Sequence, residues 1–484
     1  MEEHKSTNTV TRQKYGFSKV VPFGYDRVVD RVKEKSKKEG IGTLAEIEIR
    51  GEANARNLLR FLFPAVLVLL CSLSPSLLLA ASDSSRMSLN DRVYIASQIY
   101  ASLAYFAHFQ GVPDLDVDAA YRAYLDKAIA SDSRKDFSLA SMQFLASLHN
   151  GHTVFMDRQL VRQTGALPFV AKYIRGQWVV TESPSADLKA GDVIEKIDGR
   201  SFEQFYSDLR PYISASSEAG ARNVLFSHME DFAPFAPLFP EKVELMLSGN
   251  RKVVIDRHVL RKAAPATTVG HWLEPGRLAY IRVPSFFYPE NEKRAIELVR
   301  EFNQAPAIII DVRGNAGGGT PSDLIAQLMD RPYRWWSEST PISMPYFRYR
   351  ASQGDWHYQP FKQPQMVWQS GWQAPAKERF SGKLVLLVDG GCYSACEDFT
   401  MPFKDNHRAI IVGETTSGST GQPYVTELGD GMLVLIGTKR AIFPDGSLFE
   451  GVGIKPDVES QPTIEDITRG RDPVLETARR ALEN

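Results

Sequence analysis

A serine becomes a nucleophile when the chain lifts its hydroxyl clear of its neighbours, and residues 383–405, KLVLLVDGGCYSACEDFTMPFKD, place Ser394 where that can happen. The apolar run 384–388 reads as a buried strand, breaks at Gly390-Gly391 and gives way to an amphipathic segment from Ser394. At such a strand–turn–helix corner, the free N–H groups of the first helical turn point at whatever the hydroxyl attacks. A second reading fits the same residues. Ser394-Ala395-Cys396-Glu397 matches the Ser-x-x-Glu capping box, in which the serine only closes a helix. Upstream, Arg313-Gly314-Asn315-Ala316-Gly317-Gly318-Gly319 follows another apolar run. It has neither the lysine of a phosphate loop nor the glycine spacing of a dinucleotide site. A plain loop fits, and so does one whose backbone N–H groups approach a reacting carbonyl as half of an oxyanion hole. Cys392 and Cys396 flank the serine. They read as small buried apolar residues, with a helix N-terminus able to lower the pKa of Cys396.

The elements that would carry these groups follow from periodicity. Residues 277–283 and 307–312 read as strands, 291–302 as a helix, with a further helix from about Ser322. Strands joined by helices should lie parallel, so the glycine loop and the Ser394 corner should open at one carboxyl edge of a sheet. Residues 90–107, 117–129 and 137–148 carry apolar residues at helical steps, and the third segment ends in His149-Asn150-Gly151-His152-Thr153. There His152 reads as helix punctuation, favoured by the dipole. From about Gly165 the pattern turns to short strands, 168–173, 177–181, 192–197 and 242–247. Residues 186–199, ADLKAGDVIEKIDG, resemble the PDZ signature, which implies a module that takes extended peptide ends at a sheet edge; a ligand-free barrel is the other reading. The basic stretch from Lys172 to Arg175 is its candidate carboxylate site. Trp335, Trp336, Trp356, Trp368 and Trp372 gather in 334–373, as a lid, a substrate platform or a satellite core.

Bulk numbers narrow the class. A chain of 484 residues is expected to form two to four domains. Fifty-seven Lys and Arg against 58 Asp and Glu leave a net charge of −1, which argues against nucleic acid as a partner. Three cysteines make no disulfide framework, and no Cys/His spacing suggests a metal site. Residues 1–50 read as a β-α-β piece; YGFSKVV and GIGTLAEIEI resemble the opening of a small uncharacterised bacterial domain, truncated here. Residues 61–79 run without a charge, after Arg56 and Arg60 and before Ala80-Ala81-Ser82, so 56–82 reads as a signal peptide or membrane anchor. Basic residues crowd its N-terminal side, which sends the rest of the chain out of the cytoplasm.

From about Leu89 onward, the order LASLHNGHT, PDZ-like stretch, IIIDVRGNAGGG, CYSACEDF, IIVGETTSG and FEGVGIKPD resembles the C-terminal processing (tail-specific) serine peptidases. That superfamily includes the tricorn core protease and the interphotoreceptor retinoid-binding repeats. The resemblance implies a crotonase/ClpP-like α/β sandwich core, an α/β fold with an N-terminal helical layer and a PDZ-like β-rich module. The implied domains are 89–159 for the helical layer with His152, 160–262 for the module and 263–484 for the core. In one branch a lysine base follows the Gly-x-x-Thr-x-Gly turn, but here Gly413-Glu414-Thr415-Thr416-Ser417-Gly418 is followed by Ser419, and Lys404 and Lys439 match no motif. The tricorn-like branch implies His152 as the base of Ser394, and Glu450, ahead of Gly453-Ile454-Lys455-Pro456-Asp457, as its acidic partner. Tricorn has a serine before its histidine; Gly151 stands here, leaving Thr153 or a water to reach Glu450. Gly317 or Gly318, with Ala395, would supply the oxyanion N–H groups, without a metal or organic cofactor. The implied protein is a periplasmic or extracellular endopeptidase acting on unfolded or C-terminally exposed polypeptides. Its PDZ-like module would capture their C-termini, and residues 61–79 would tether it to a membrane. A non-catalytic ligand or peptide carrier, and an esterase or amidase on small substrates, are the alternatives.

Overall fold

The computed structural model describes residues 86–109, 115–164, 167, 169–183, 185–225, 242–256, 267–342, 365–369 and 371–483. The readings of 1–50 and of 56–82 therefore lie outside the described residues, as does Trp356. Among the described residues no helix is long and apolar enough to cross a membrane.

Three helices open the described chain: α1 (Leu89–Phe106), α2 (Val117–Ala130) and α3 (Arg134–Ala146). Each begins at a polar cap, Ser88, Asp116 or Ser133, whose side chain accepts a first-turn N–H. Strand β1 (Val154–Asp157) follows and carries the chain past His152. A sheet of antiparallel pairs comes next, with β2 (Val170–Ile174), β3 (Gln177–Glu182), β4 (Val193–Ile197), β5 (Arg200–Ser201), β6 (Lys242–Leu247) and β7 (Arg251–Asp256). Helices α4 (Phe202–Leu209) and α5 (Glu218–Val224) belong to the same stretch of chain. Ile213, Ala215, Ala221 and Leu225 sit in one apolar cluster with Val180, Ile194 and Leu245 of the strands.

The remaining sheet carries the site. Its strands are β8 (Val269–Glu274), β9 (Leu278–Arg282), β10 (Ala307–Asp311), β13 (Lys383–Val388), β14 (Ile410–Gly413) and β18 (Val458–Glu459), in the order β18-β14-β13-β10-β9-β8. All neighbours are parallel except the β8–β9 edge pair. Helices α6 (Pro289–Glu301), α7 (Ser322–Leu328), α8 (Ala395–Asp405) and α9 (Pro473–Glu483) flank it. Alternation shows why 307–310 of β10 and 384–388 of β13 are apolar: Ile308, Ile310, Leu384 and Leu386 join a cluster with α6, α7 and α8, while Ile309, Val385 and Leu387 face Val474 and Ala478 of α9. Both faces are covered, so neither strand can alternate with polar residues.

Two three-stranded sheets complete the described strands. Strand β11 (Ser337–Pro341) pairs with β12 (Gln365–Gln369) and β17 (Arg440–Ile442), and β1 joins β15 (Tyr424–Gly429) and β16 (Met432–Ile436). The tryptophan-rich stretch divides accordingly. Trp336 is buried against Met401, Phe449 and Ile454, as a satellite core, whereas Trp372 is exposed.

Candidate active site

Beyond β13 the chain turns through Asp389-Gly390-Gly391 into Ser394, whose φ of 56° and ψ of −119° lie in a region that L-residues rarely adopt. Asp389 fixes that turn. One carboxylate oxygen accepts Gly314 N at 2.7 Å and Gly391 N at 3.0 Å, joining the glycine loop to the serine turn. The other pairs with Lys172 of β2. That pairing ties the partly exposed Lys172 ammonium to the serine turn.

Cys392 and Cys396 are bonded to each other as a disulfide, which corrects their reading as separate apolar side chains with a reactive Cys396. The turn entering α8 brings their Cα atoms to 5.3 Å, within bridging range, and leaves no thiol to titrate. The bridge spans Ser394.

Ser394 Oγ lies 2.9 Å from His152 Nε2, although 242 positions separate them in sequence. The capping-box arm is present too, since Glu397 Oε2 accepts Ser394 N at 3.3 Å, so Glu397 holds the corner while the hydroxyl faces the imidazole. His152 is buried and its ring stacks on Tyr393, with centroids 4.7 Å apart and planes 9° apart. Burial, reinforced by the Lys439 ammonium, lowers the imidazole to about 3, so it rests neutral. Lys439 is itself paired with Glu338, and Lys404 with Asp457.

The far side of the ring holds the residue that the sequence did not single out. His152 Nδ1 is 2.9 Å from Ser419 Oγ and 3.0 Å from the Tyr393 hydroxyl. Ser419 Oγ donates to Glu450 Oε1 at 2.8 Å. Glu450 thus reaches His152 through Ser419, not through Thr153, whose hydroxyl accepts Gly437 N. With Nε2 accepting from Ser394, Nδ1 carries the proton and donates across this bridge. Gly151 is required here: a Cβ at that position would stand 2.9 Å from the Tyr393 hydroxyl and 3.1 Å from Ser419 Oγ. Burial raises the Glu450 carboxyl, opposed by hydrogen bonds from Ser216, Ser419 and Thr420 N.

Gly317 and Gly318 pack directly against the serine corner and the segment after β9. A Cβ at Gly317 would lie 2.6 Å from the Tyr393 carbonyl oxygen, and one at Gly318 2.3 Å from the Phe286 carbonyl carbon. Gly317 N, however, donates to Asn315 Oδ1 at 2.9 Å, which removes it as an oxyanion donor. Among the described residues, the amide hydrogens of Gly318 and Ala395 donate to no protein acceptor and stay open. Also among the described residues, no three His, Cys, Asp or Glu side chains gather as a metal cage.

Comparison with known proteins finds a family match for the part of the chain that bears Ser394, Ser419 and Glu450. Residues 277–460 match the family model of Peptidase family S41, so the chain carries an S41 domain. It is 30% identical over 221 residues to the putative tricorn protease homolog 2 of Streptomyces coelicolor, covering 44% of this chain and 16% of that one. It is 24% identical over 304 residues to the chloroplastic C-terminal processing peptidase of Tetradesmus obliquus, covering 59% of this chain and 57% of that one. Both matches span less than two thirds of the relative's length. In fold it is similar to the crystal structure of mature CPAF, with TM-score 0.61 at 15% identity, over 80% of this chain and 96% of that one.

Proposed function

We propose that this S41-domain chain is a serine-type endopeptidase that hydrolyses peptide bonds of unfolded or C-terminally exposed polypeptides. The observation that carries the reading is the 2.9 Å contact between Ser394 Oγ and a buried, neutral His152 Nε2, together with the Gly318 and Ala395 amides, which donate to no acceptor among the described residues. His152 takes the Ser394 proton as Oγ bonds to the scissile carbonyl carbon. Negative charge passes to the carbonyl oxygen, where Gly318 N–H and Ala395 N–H receive it; each such donor is worth about 3–4 kcal/mol in comparable sites. The imidazolium then gives its proton to the departing amine, leaving an acyl ester on Ser394. Water, deprotonated by the same imidazole, opens the ester and restores the serine. Glu450 and Ser419 hold the ring and stabilise its charged form.

The chain works outside the cytoplasm in this reading. The charge-free run 61–79 behind Arg56 and Arg60 supports it, and so does a disulfide at the site, since such bonds persist in oxidising compartments. The sheet edge at β2 is where the PDZ-like module would receive a substrate's C-terminal end.

A fluorophosphonate probe and a casein turnover assay test the proposal together. Labelling that maps to Ser394, lost in His152→Ala and accompanied by casein cleavage, is the expected result. A silent probe would favour a carrier on this fold. Turnover of short esters without casein would favour an esterase.

A further inference from the structure

We propose that Ser216, which comes from the β-rich module and not from the S41 domain, is a positioning residue of the same site, holding Glu450 charged and the His152 loop in place. The inference rests on the peptidase reading. Ser216 Oγ donates to Glu450 Oε1 at 2.7 Å, lies 3.1 Å from Ser419 Oγ, and accepts Gly151 N, one residue before His152, at 3.0 Å. One hydroxyl therefore touches three segments of the relay. Glu450 Oε1 accepts two hydroxyl protons, one from Ser419 and one from Ser216. Each of these donors, with Thr420 N on the second oxygen, favours the ionised carboxylate against the burial that raises it.

The local fold explains why Ser216 can act there. The next residue, Ser217, caps α5: its Oγ accepts Gly220 N at 2.9 Å and donates to the Ser417 carbonyl at 2.8 Å. Ser417 lies two residues before Ser419, so the helix cap fastens the module to the turn that bears the relay hydroxyl. The approach is close, since a Cβ at Gly451 would stand 3.0 Å from the Ser216 carbonyl oxygen. Ala215 and Ala221 on either side are buried in the module's own core, which gives Ser216 a rigid base.

Removing this hydroxyl takes a donor from the carboxylate and makes its charge harder to hold in a buried site. Ser216→Ala should lower kcat on a peptide substrate about 10- to 100-fold with KM within about twofold, and should move the acid limb of kcat/KM to higher pH. Ser216→Thr, which keeps the hydroxyl, should recover most of the rate. Wild-type kcat and an unshifted acid limb in Ser216→Ala would overturn the proposal. A second readout does not need turnover. In a Ser394→Ala background, the Glu450 carboxyl followed by carbon NMR should titrate at higher pH once Ser216→Ala is added, and an unchanged titration overturns the proposal as well. If the wild-type chain neither cleaves peptides nor takes the fluorophosphonate, the peptidase reading fails by itself, and the carboxyl titration still decides on Ser216.

Discussion

A methyl group at position 151 would press on the Tyr393 hydroxyl at 2.9 Å and on Ser419 Oγ at 3.1 Å, the two oxygens that His152 Nδ1 addresses. Gly151→Ala should therefore cost activity without touching the nucleophile, by about tenfold or more, since a small misplacement of a base can cost that much. Adding Tyr393→Phe removes one of the two obstructing oxygens and should return part of the loss. Steady-state kinetics on the single and double variants checks both directions. Ser419→Ala cuts the link between His152 and Glu450. A hydrogen bond to a charged group contributes about 1.5–3 kcal/mol, so kcat should fall roughly 10- to 150-fold. Because His152 is lowered to about 3, its ring should still be neutral at pH 5, as nitrogen NMR of labelled histidine would show. An imidazole titrating near its ordinary value would mean a wetter site than the structure has.

At the scale of elements, the serine turn is held by two devices, Asp389 below it and the Cys392–Cys396 bridge around it. Ser394 keeps a positive φ only because its surroundings impose it. Replacing both cysteines with alanine should relax the turn, lowering kcat more than it raises KM, and should lower Tm by several degrees for a loss of about 2 kcal/mol. Scanning calorimetry and kinetics on that double variant check this. Much of the element pattern could be read from the sequence. The expected strand 242–247 coincides with β6, the run 384–388 lies within β13, and the expected helix at Ser322 begins there. Periodicity and turn residues report on local conformation, which suffices for those elements. Ser419 drew notice only as a place without a lysine, because its partner His152 lies 267 positions away and no local pattern records such a pairing. The bridge escaped for a related reason: a four-residue spacing of cysteines allows packing or bonding, and the path of the turn decides between them. The donor assignment of Gly317 failed on one side chain, Asn315, which claims that amide.

At the scale of the whole molecule, the same buried groups set how folding responds to pH. Glu397 is enclosed beneath the serine corner, where its carboxyl accepts the Thr416 hydroxyl, Gly418 N and Ser419 N. Burial outweighs those donors and raises it to about 8. The unfolded chain releases this proton near 4.5 while the folded chain keeps it to about 8, so stability declines as pH rises through that window. His152 works in the other sense. Unfolded, it takes a proton near 6.5; folded, only at about 3, so stability declines as pH falls from 6.5 towards 3. Between about 4.5 and 6.5 these two slopes oppose each other. Each proton contributes at most about 1.4 kcal/mol per pH unit. The urea midpoint should accordingly be highest and flattest at mildly acidic pH and should fall between about pH 6.5 and 8. Glu397→Gln, which cannot ionise, should weaken that alkaline decline, to which the raised Glu450 and Glu414 carboxyls also contribute, while the acid decline remains. A decline that persists unchanged in the glutamine variant would assign the proton to another buried carboxyl.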